Sequence, residues 1–501
     1  MEETKKETMI SAENLDVDAA FKELGETALL SEPLSPEEDR RILRRIDMYL
    51  LPVMAISYLF QFLDKSAMGY TSILGLRTDL HLVGQDYAWA SSIFYFGYLA
   101  FSYPAALIMN RFPVGKFLAI SVTLWAVVLL CTAATYNAAG LQATRFFLGF
   151  MEAAVAPGFG IITSMWYKRS EQPLRMGAWF MGNVCSGLFG ALIAYGLGHI
   201  TAIEPWRAVF IIFGAITIVW AVSLFYTLPD TPMNARFLSK EDRIKAIERV
   251  KDNLTGIKNN RWKKHQAIDA LTDPKSWFIF FIGLCCNIPN GGITGFGSIV
   301  IKGLGFSTLN TLLVQMLAVV FQAIYVLGAT GGSTYLTNTR TYWMALMMVI
   351  SLVGTVMIRS IEHSNIWGRF MGYCLLIAFS ANFPMSLTMV AANTGGFTKK
   401  TTVSSMVFVA YTVGNIIGPQ LFFEHEAPGY DSGFVSMLVC FSAGFFFCFG
   451  LRFYLIWENK RRDAMGEAPV LTIDGVEVEG TAALNLLDKT DRELLQFRYL
   501  Y

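Results

Sequence analysis

The feature that most constrains this chain is a series of twelve apolar stretches, each long enough to cross a lipid bilayer as an α-helix. About 20 consecutive apolar residues span a bilayer in helical form. Only 16% of the 501 residues are charged, whereas a soluble domain has about 25%. The sequence therefore predicts an all-α membrane protein with twelve transmembrane helices, over residues 46–72, 87–109, 116–136, 142–164, 176–198, 206–227, 277–300, 308–330, 341–360, 367–391, 402–423 and 434–457.

A polar stretch near the middle of the chain divides the predicted spans into two groups of six. We expect two bundles of equal size, joined by one long connection. The predicted domains are an N-terminal tail over 1–45, a first bundle over 46–227, a connection over 228–276, a second bundle over 277–457 and a C-terminal tail over 458–501.

Two helix-start signals lie outside the apolar stretches. The sequence SPEE, beginning at Ser35, places a capping residue directly before a proline, so a helix should lead into the first span. In the connection, Ser239 precedes an acidic residue by three positions, and apolar residues within 244–250 fall on one helical stripe. We expect a short amphipathic helix at the membrane surface there, with a solvated spacer as the alternative.

Lysine and arginine flank the predicted spans unevenly. Short segments on the side of the N-terminal tail carry fifteen basic residues, the opposite loops and their margins carry five, and the connection adds eleven to the first group. Segments rich in Lys and Arg remain in the cytoplasm. We therefore expect a multi-pass protein of the plasma membrane, with both tails and the connection cytoplasmic.

Only two acidic side chains lie well within the apolar spans, Asp64 in the first and Glu152 in the fourth, and Lys65 and Arg145 accompany them. Ionisable groups in a bilayer are costly, so they usually face a cavity and serve a function. Asp64 is late in its span and Arg145 is early in an antiparallel one, so we expect the two to meet. Arg145, Gly149 and Glu152 are spaced to share one helix face, and Gly149 should let a helix or ligand approach closely.

An enclosed carboxyl group can exchange a proton when its cationic partner is withdrawn. The predicted proton-coupling residues are therefore Asp64, Glu152 and Arg145. The alternative is a structural ion pair that fixes two helices, and for Lys65 it is an ammonium group that snorkels to the membrane surface.

The second half offers neutral amides instead of charges. As a set on facing spans they fit a substrate pocket, although each also suits a hydrogen bond between helices. The predicted substrate-binding residues are Gln61, Lys65, Arg145, Asn287, Asn290, Gln315, Asn382 and Asn415.

Five stretches and the end of the chain resemble the fungal allantoate permease family of anion:cation symporters, within the major facilitator superfamily. They are FLDKSAMGY (62–70), RFFLGFMEAAVAPGF (145–159), LPDTPMNARFL (228–238), NIPNGGITGFGSIVIKGLGF (287–306), NTGGFTKKTTVSSMVFVAYTVGNIIGPQLF (393–422) and DKTDRELLQFRYLY (488–501).

This resemblance implies two pseudo-symmetric six-helix bundles and proton-driven transport of small organic anions, such as carboxylates and vitamins, by alternating access. It puts Arg145 and Gly149 at the superfamily's fourth-span arginine motif, and Asp64 where related symporters keep an acid. The loop NRFPVGK departs from the superfamily pattern because Asn110 stands in the place of its acid. The equivalent loop of the second half, GGSTYLTNTR, has no acid either.

We thus expect a monomeric importer whose partners are an organic anion, protons and the lipid bilayer. Efflux of a small metabolite and a non-transporting nutrient sensor are the alternatives. We expect no enzyme activity, because the motifs of metalloproteases, P-loop enzymes and serine hydrolases are missing. The net charge of +1 gives no reason to expect nucleic acid, and the seven cysteines inside apolar runs suit the core rather than a metal or cofactor.

Overall fold

The computed structural model of the protein describes residues 35–109, 111–168, 171–255, 263–336, 338–465, 471–473, 476–478, 490–494 and 497–501. Twelve of its helices are long and apolar enough to cross a membrane, which confirms the predicted fold class. We number them as spans 1 to 12: Pro36–Asp79, Asp86–Met109, Val114–Thr132, Ala138–Trp166, Leu174–Leu197, Pro205–Thr227, Pro274–Gly303, Thr308–Tyr335, Arg340–Ser360, Ile366–Asn393, Thr398–Gln420 and Asp431–Ala464.

Several shorter elements complete the described chain. The connection between spans 6 and 7 carries the helices Lys240–Thr255 and Lys264–Thr272. Beyond span 12, the strands Leu471–Ile473 and Val476–Val478 pair in antiparallel fashion, an element that the sequence analysis did not predict. We call the side of the molecule with the connection the connection side, and the opposite side the far side.

Both predicted helix starts are confirmed. The Ser35 hydroxyl accepts a hydrogen bond from the backbone N–H of Glu38 over 3.3 Å, and the Ser239 hydroxyl accepts one from the N–H of Asp242 over 3.1 Å. These bonds satisfy backbone donors that a first helical turn leaves free. Span 1 therefore begins ten residues before the apolar stretch that predicted it.

The connection helix Lys240–Thr255 is held by ion pairs rather than by an apolar stripe alone. Its buried Asp242 lies 2.9 Å from Arg41 and 2.6 Å from Arg45 at the start of span 1. Its buried Arg249 pairs with Asp39 at 2.7 Å. Ile244, predicted on the apolar stripe, is among the exposed residues. Val250 of the same stripe is buried, so the helix packs on the first half through both charge and apolar contact.

Spans 4 and 10, which are six spans apart and so correspond in the two halves, are both interrupted. Span 4 stops being helical after Glu152 and resumes at Val155. Span 10 changes to a 3₁₀ turn over Ile377–Ala381. In each case a proline follows, Pro157 or Pro384, and its missing N–H cannot bond the carbonyl of the preceding turn. The apolar pattern predicted both as continuous helices because hydrophobicity does not register a backbone break.

Polar contacts between the two halves are concentrated at the far side. Arg77 lies 2.9 Å from Glu424. The Tyr87 hydroxyl donates to the carbonyl of Gly295 over 2.7 Å. In addition, the Gln420 amide donates to the Ser92 hydroxyl over 3.0 Å. Because these contacts link the far-side parts of spans 1, 2, 7 and 11 and the turn that follows span 11, this conformation is closed toward the far side.

Candidate functional site

The four ionisable side chains predicted to face the protein interior all do so. Asp64 and Glu152 are 0% exposed, Arg145 is 3% exposed and Lys65 is 6% exposed. They lie on spans 1 and 4, two helices of the first half. Their burial without a surrounding aqueous phase is costly, so the partners of each charge decide what the site can do.

Lys65 points inward and does not snorkel to a membrane surface. Its ammonium nitrogen lies 3.8 Å from Glu152 Oε2. The same nitrogen lies 5.1 Å from the ring centre of Phe62, 5.4 Å from that of Phe94 and 5.3 Å from that of Tyr98. Ring faces attract cations at such distances, so Lys65 is held by one carboxylate and three aromatic rings.

Asp64 does not meet Arg145, and that expectation was wrong. The two residues form no ion pair, and Asp64 Oδ2 instead accepts a hydrogen bond from the indole N–H of Trp125 over 2.8 Å. Consecutive residues of a helix point about 100° apart, so Asp64 and Lys65 cannot face the same neighbour. Span 1 turns Lys65 toward span 4 and Asp64 toward span 3.

Arg145 lies over an aromatic ring and keeps unused donors. Its guanidinium carbon is 5.2 Å from the ring centre of Phe94, and its buried Nε and Nη1 have no hydrogen-bond partner. Gly149 explains how span 2 comes so near, since a Cβ there would lie 1.9 Å from the carbonyl oxygen of Phe94. The close helix approach expected at Gly149 is present.

Glu152 sits at the point where span 4 is interrupted. Both of its carboxylate oxygens are buried and form no hydrogen bond. The side chain of Gln61 donates to the backbone carbonyl of Glu152, not to its carboxylate, over 3.3 Å. The Glu152 charge therefore depends on Lys65, the cation within 4 Å of it.

A small cavity lies between the two halves next to these charges. Its volume is about 20 Å³, which is enough for about one water molecule. An organic anion requires more room, so the halves must separate for one to enter. Its walls include Lys65, Arg145, Phe94 and Tyr95 from the first half and Gly291 and Thr294 from the second.

Three predicted amides of the second half form one network between spans 7 and 11. The Asn290 amide donates to Asn415 Oδ1 over 2.9 Å. The Asn415 amide donates to the carbonyl of Tyr411 over 2.7 Å and to Asn287 Oδ1 over 3.4 Å. The Asn287 amide in turn donates to the carbonyl of Gly283 over 2.7 Å. The network fixes the two spans to each other.

The other two predicted amides of the second half lie apart from this network. Asn382 donates to the carbonyl of Met344 on span 9 over 3.1 Å. Gln315 donates to the Ser298 hydroxyl on span 7 over 2.7 Å. Both bonds join neighbouring helices, which is the alternative role considered for each residue.

Three residues at the site, Trp125, Phe94 and Thr294, were not predicted from the sequence. A buried indole N–H needs an acceptor, and this was the available signal for Trp125. For Phe94 and Thr294 no comparable signal exists, since their place in the cavity wall follows from helix packing. Within the described ranges, no group of three or more His, Cys, Asp or Glu side chains could hold a metal ion.

Comparison with known proteins decides the family. The family model of the Major Facilitator Superfamily matches residues 54–419. This chain belongs to the major facilitator superfamily. The allantoate permease of Saccharomyces cerevisiae is 35% identical over 497 residues, which cover 96% of this chain and 90% of that protein. An uncharacterized transporter of Schizosaccharomyces pombe is 37% identical, with 93% and 86% of the two chains covered.

A solved structure agrees on the fold of this superfamily member. A bacterial homolog of the human lysosomal transporter Spinster, inward-facing and occupied, matches with a TM-score of 0.60 at 15% identity. The match covers 84% of this chain and 98% of that one. The chain is thus a transporter of the major facilitator superfamily, related to fungal transporters that include an allantoate permease.

Proposed function

We propose that this transporter is a proton-coupled symporter that imports a small organic anion, either a carboxylate or a vitamin-like compound. The observation that carries the proposal is the position of Lys65, which faces the cavity and also neutralises the buried carboxylate of Glu152. One cation is thus shared between the protein's own acid and any anion that enters. A positively charged solute would be repelled by Lys65 and Arg145.

Competition for Lys65 supplies the coupling. An anion that enters between the halves attracts the Lys65 ammonium group and the unused donors of Arg145, which form strong charge-assisted hydrogen bonds. Glu152 then loses its counter-charge, and a buried carboxylate without one takes up a proton. The proton goes to a Glu152 oxygen, so one proton accompanies each substrate carboxylate. Asp64, held by Trp125, is the second acid available for this role.

Movement of the two halves supplies the transport. The far-side contacts, among them Arg77 with Glu424, must break to admit substrate, and the connection side must then close. The interruption after Glu152 lets the two segments of span 4 change their angle at the residue that is protonated, since helices bend where a backbone hydrogen bond is missing. Asn290 is the chain neighbour of Gly291 in the cavity wall, and in this proposal it contacts the substrate together with Asn287 and Asn415 once the halves separate.

The distribution of basic residues supports the orientation of the transporter in the membrane, and its similarity to a known permease supports the class of its cargo. The excess of basic residues on the connection side favours a cytoplasmic location for that side. In this proposal the protein lies in the plasma membrane, where it works as a monomer. The similarity to a protein named an allantoate permease supports an anionic cargo. A proton gradient directed into the cell would protonate Glu152 from outside and so drive import of the anion.

Uptake measurements test the proposal. Proteoliposomes or cells that contain the full chain are given a panel of radiolabelled organic acids, headed by allantoate, with and without a proton uncoupler. We expect at least one acid to accumulate above its external concentration and to lose that accumulation with the uncoupler. Accumulation that survives the uncoupler would reject proton coupling, and uptake of cations alone would reject the anionic cargo.

A further inference from the structure

Residues 490–494 and 497–501 lie on the connection side of the second half, away from the cavity. Their Asp491 is completely buried, with one oxygen 2.6 Å from Lys275 Nζ and the other 3.0 Å from Lys399 Nζ. Lys275 begins span 7 and Lys399 begins span 11. A single acid of this segment, which we call the docking segment, therefore joins the ends of two spans.

The docking segment also reaches spans 10 and 12. The buried Arg462 of span 12 donates to the carbonyl of Phe497 over 2.9 Å and to the Tyr499 hydroxyl over 2.7 Å. Asn393, the last residue of span 10, donates to the carbonyl of Leu500 over 2.9 Å and accepts from its N–H over 2.8 Å. Four spans of one half are thus linked at the same end by a segment that belongs to none of them.

The charges of this surface remain balanced when the segment leaves. Without it, Lys275 and Lys399 retain Asp273, which lies 3.3 Å and 2.8 Å from their ammonium nitrogens. Lys399 also retains Asp269 at 2.9 Å, so two cations face two anions. The segment adds two charges of each sign. Its acids are Asp491 and Glu493, which lies 3.7 Å from His265, and its bases are Arg492, 2.8 Å from Asp269, and Arg498, 2.8 Å from Asp463.

Arg462, the third buried cation that binds the segment, also has a partner outside it. Arg462 keeps Glu458 of its own helix at 3.1 Å. Breaking a buried ion pair is costly mainly because it leaves an uncompensated charge inside the protein. Undocking of the segment avoids this cost, since each buried charge keeps a partner of opposite sign. A surface with this property is suited to an occupant that comes and goes.

Protonation of Asp491 does not control docking of the segment at physiological pH. Burial raises the pKa of Asp491, but the ammonium groups of Lys275 and Lys399 and the Tyr499 hydroxyl outweigh burial and hold that pKa well below its usual range. Because this pKa is depressed, the stabilisation that Asp491 gives to docking is fully present above about pH 4, the ordinary pKa of an aspartate. It is lost only as the pH falls below that value. The contribution of Asp491 to docking is therefore constant across physiological pH.

We propose that Asp269, Asp273, Lys275, Asn393, Lys399 and Arg462 form a peptide-docking site, whose reversible occupant is the docking segment. When docked, the segment holds the connection-side ends of spans 7, 10, 11 and 12 as one unit. Span 11 also contacts the first half, through Gln420 with Ser92 and through the rings of Tyr411 and Tyr95. Release of the segment thus loosens the base of a helix along which the halves move.

Hydrogen exchange of the full chain, measured by mass spectrometry, tests the site without any transport substrate. Asp491→Asn should speed exchange about tenfold in peptides over 387–400 and 455–465, because a loss of about 1.4 kcal/mol is tenfold in an equilibrium. Peptides over 36–50 in the first half should not change. Asp463→Asn is the matched control, since it removes one charge from an exposed pair with Arg498, a residue of the same segment, and it should leave all peptides unchanged.

A second measurement separates docking from general loss of folding. A chain that ends after residue 489 receives a synthetic peptide of residues 488–501, or the same peptide with Asp491→Asn. The natural peptide should restore protection over 387–400, and the altered one should need about tenfold more. If the shortened chain does not fold, the full-length Asp491→Asn chain takes its place. Equal rescue by both peptides, unchanged exchange in Asp491→Asn, or equal acceleration in both halves would overturn the proposal.

Discussion

The two halves of the molecule place polar groups in the membrane in different ways. The first half buries charges whose hydrogen bonds are incomplete: Glu152 has two bare carboxylate oxygens, and Arg145 has two unused nitrogens. The second half buries neutral amides whose donors are satisfied, as in the chain from Asn290 through Asn415 to Asn287, although the side-chain oxygens of Gln315 and Asn382 accept no hydrogen bond. The first arrangement can change with protonation or ligand, whereas the second holds helices together.

The connection side reverses this distribution. There the second half carries the buried cluster of Lys275, Lys399 and Asp491, in which each charge has an opposite charge at 3.0 Å or less. Buried charge alone therefore does not identify the transport site. What distinguishes Lys65 and Glu152 is a single ion pair at 3.8 Å beside a cavity.

The largest effect is expected from Lys65→Gln. Loss of the ammonium group leaves Glu152 buried without its cation, at a cost of about 3–5 kcal/mol, and removes a cationic wall of the cavity. Uptake of the labelled anion should fall by more than about 100-fold. Lys302→Gln, which removes an exposed lysine from the far end of span 7, is the control and should transport normally. Wild-type uptake in Lys65→Gln would show that the two halves do not differ as we infer.

Next in size is the effect of Glu152→Gln, which removes the proton acceptor but keeps the shape. Accumulation against a gradient should disappear, while exchange of labelled for unlabelled anion continues, because exchange needs no net proton movement. Asp64→Asn is the matched comparison: its amide oxygen can still accept the Trp125 bond, and we expect a smaller loss. Intact accumulation in Glu152→Gln together with its loss in Asp64→Asn would move the coupling role to span 1.

An intermediate effect is expected from Arg145→Lys, which keeps the charge but loses the planar fork of donors. The KM for the anion should rise about tenfold, because a charge-assisted hydrogen bond contributes about 1.5–3 kcal/mol. Arg207→Lys, in a far-side pair with Asp79, should leave the KM unchanged. A normal KM in Arg145→Lys would mean that the guanidinium does not contact the substrate.

The smallest effect is expected from the second half, in Asn382→Ala. The hydrogen bond from Asn382 to Met344 joins spans 10 and 9, and such bonds contribute about 0.6–1.7 kcal/mol in membranes. Thermal unfolding of the purified protein should shift downward by a few degrees, with an unchanged KM. A raised KM with normal stability would instead place Asn382 in the substrate site and erase the contrast between the halves.

Much of the fold was predictable because it depends on local physics. A stretch such as residues 206–227 contains enough apolar residues to span a bilayer, and Ser35 and Ser239 cap helices through bonds within three residues. The inward position of Glu152 also followed, since a charge among apolar residues must avoid lipid. For Lys65 the sequence also allowed an ammonium group that snorkels to the membrane surface, and the structure decided for the inward position. The breaks in spans 4 and 10 were not predicted, although Pro157 and Pro384 cause them.

By itself, the sequence determined that this chain crosses the membrane twelve times and that Asp64, Arg145 and Glu152 are enclosed, because hydrophobicity and the cost of buried charge act residue by residue. Only the tertiary structure decided the partners. Asp64 bonds Trp125 and Lys65 takes Glu152, since the rotation of span 1 and the close approach of spans 2 and 4 at Gly149 set which groups meet. Docking of residues 490–494 and 497–501 was likewise decided in three dimensions, because the partners of this segment are far apart in the chain.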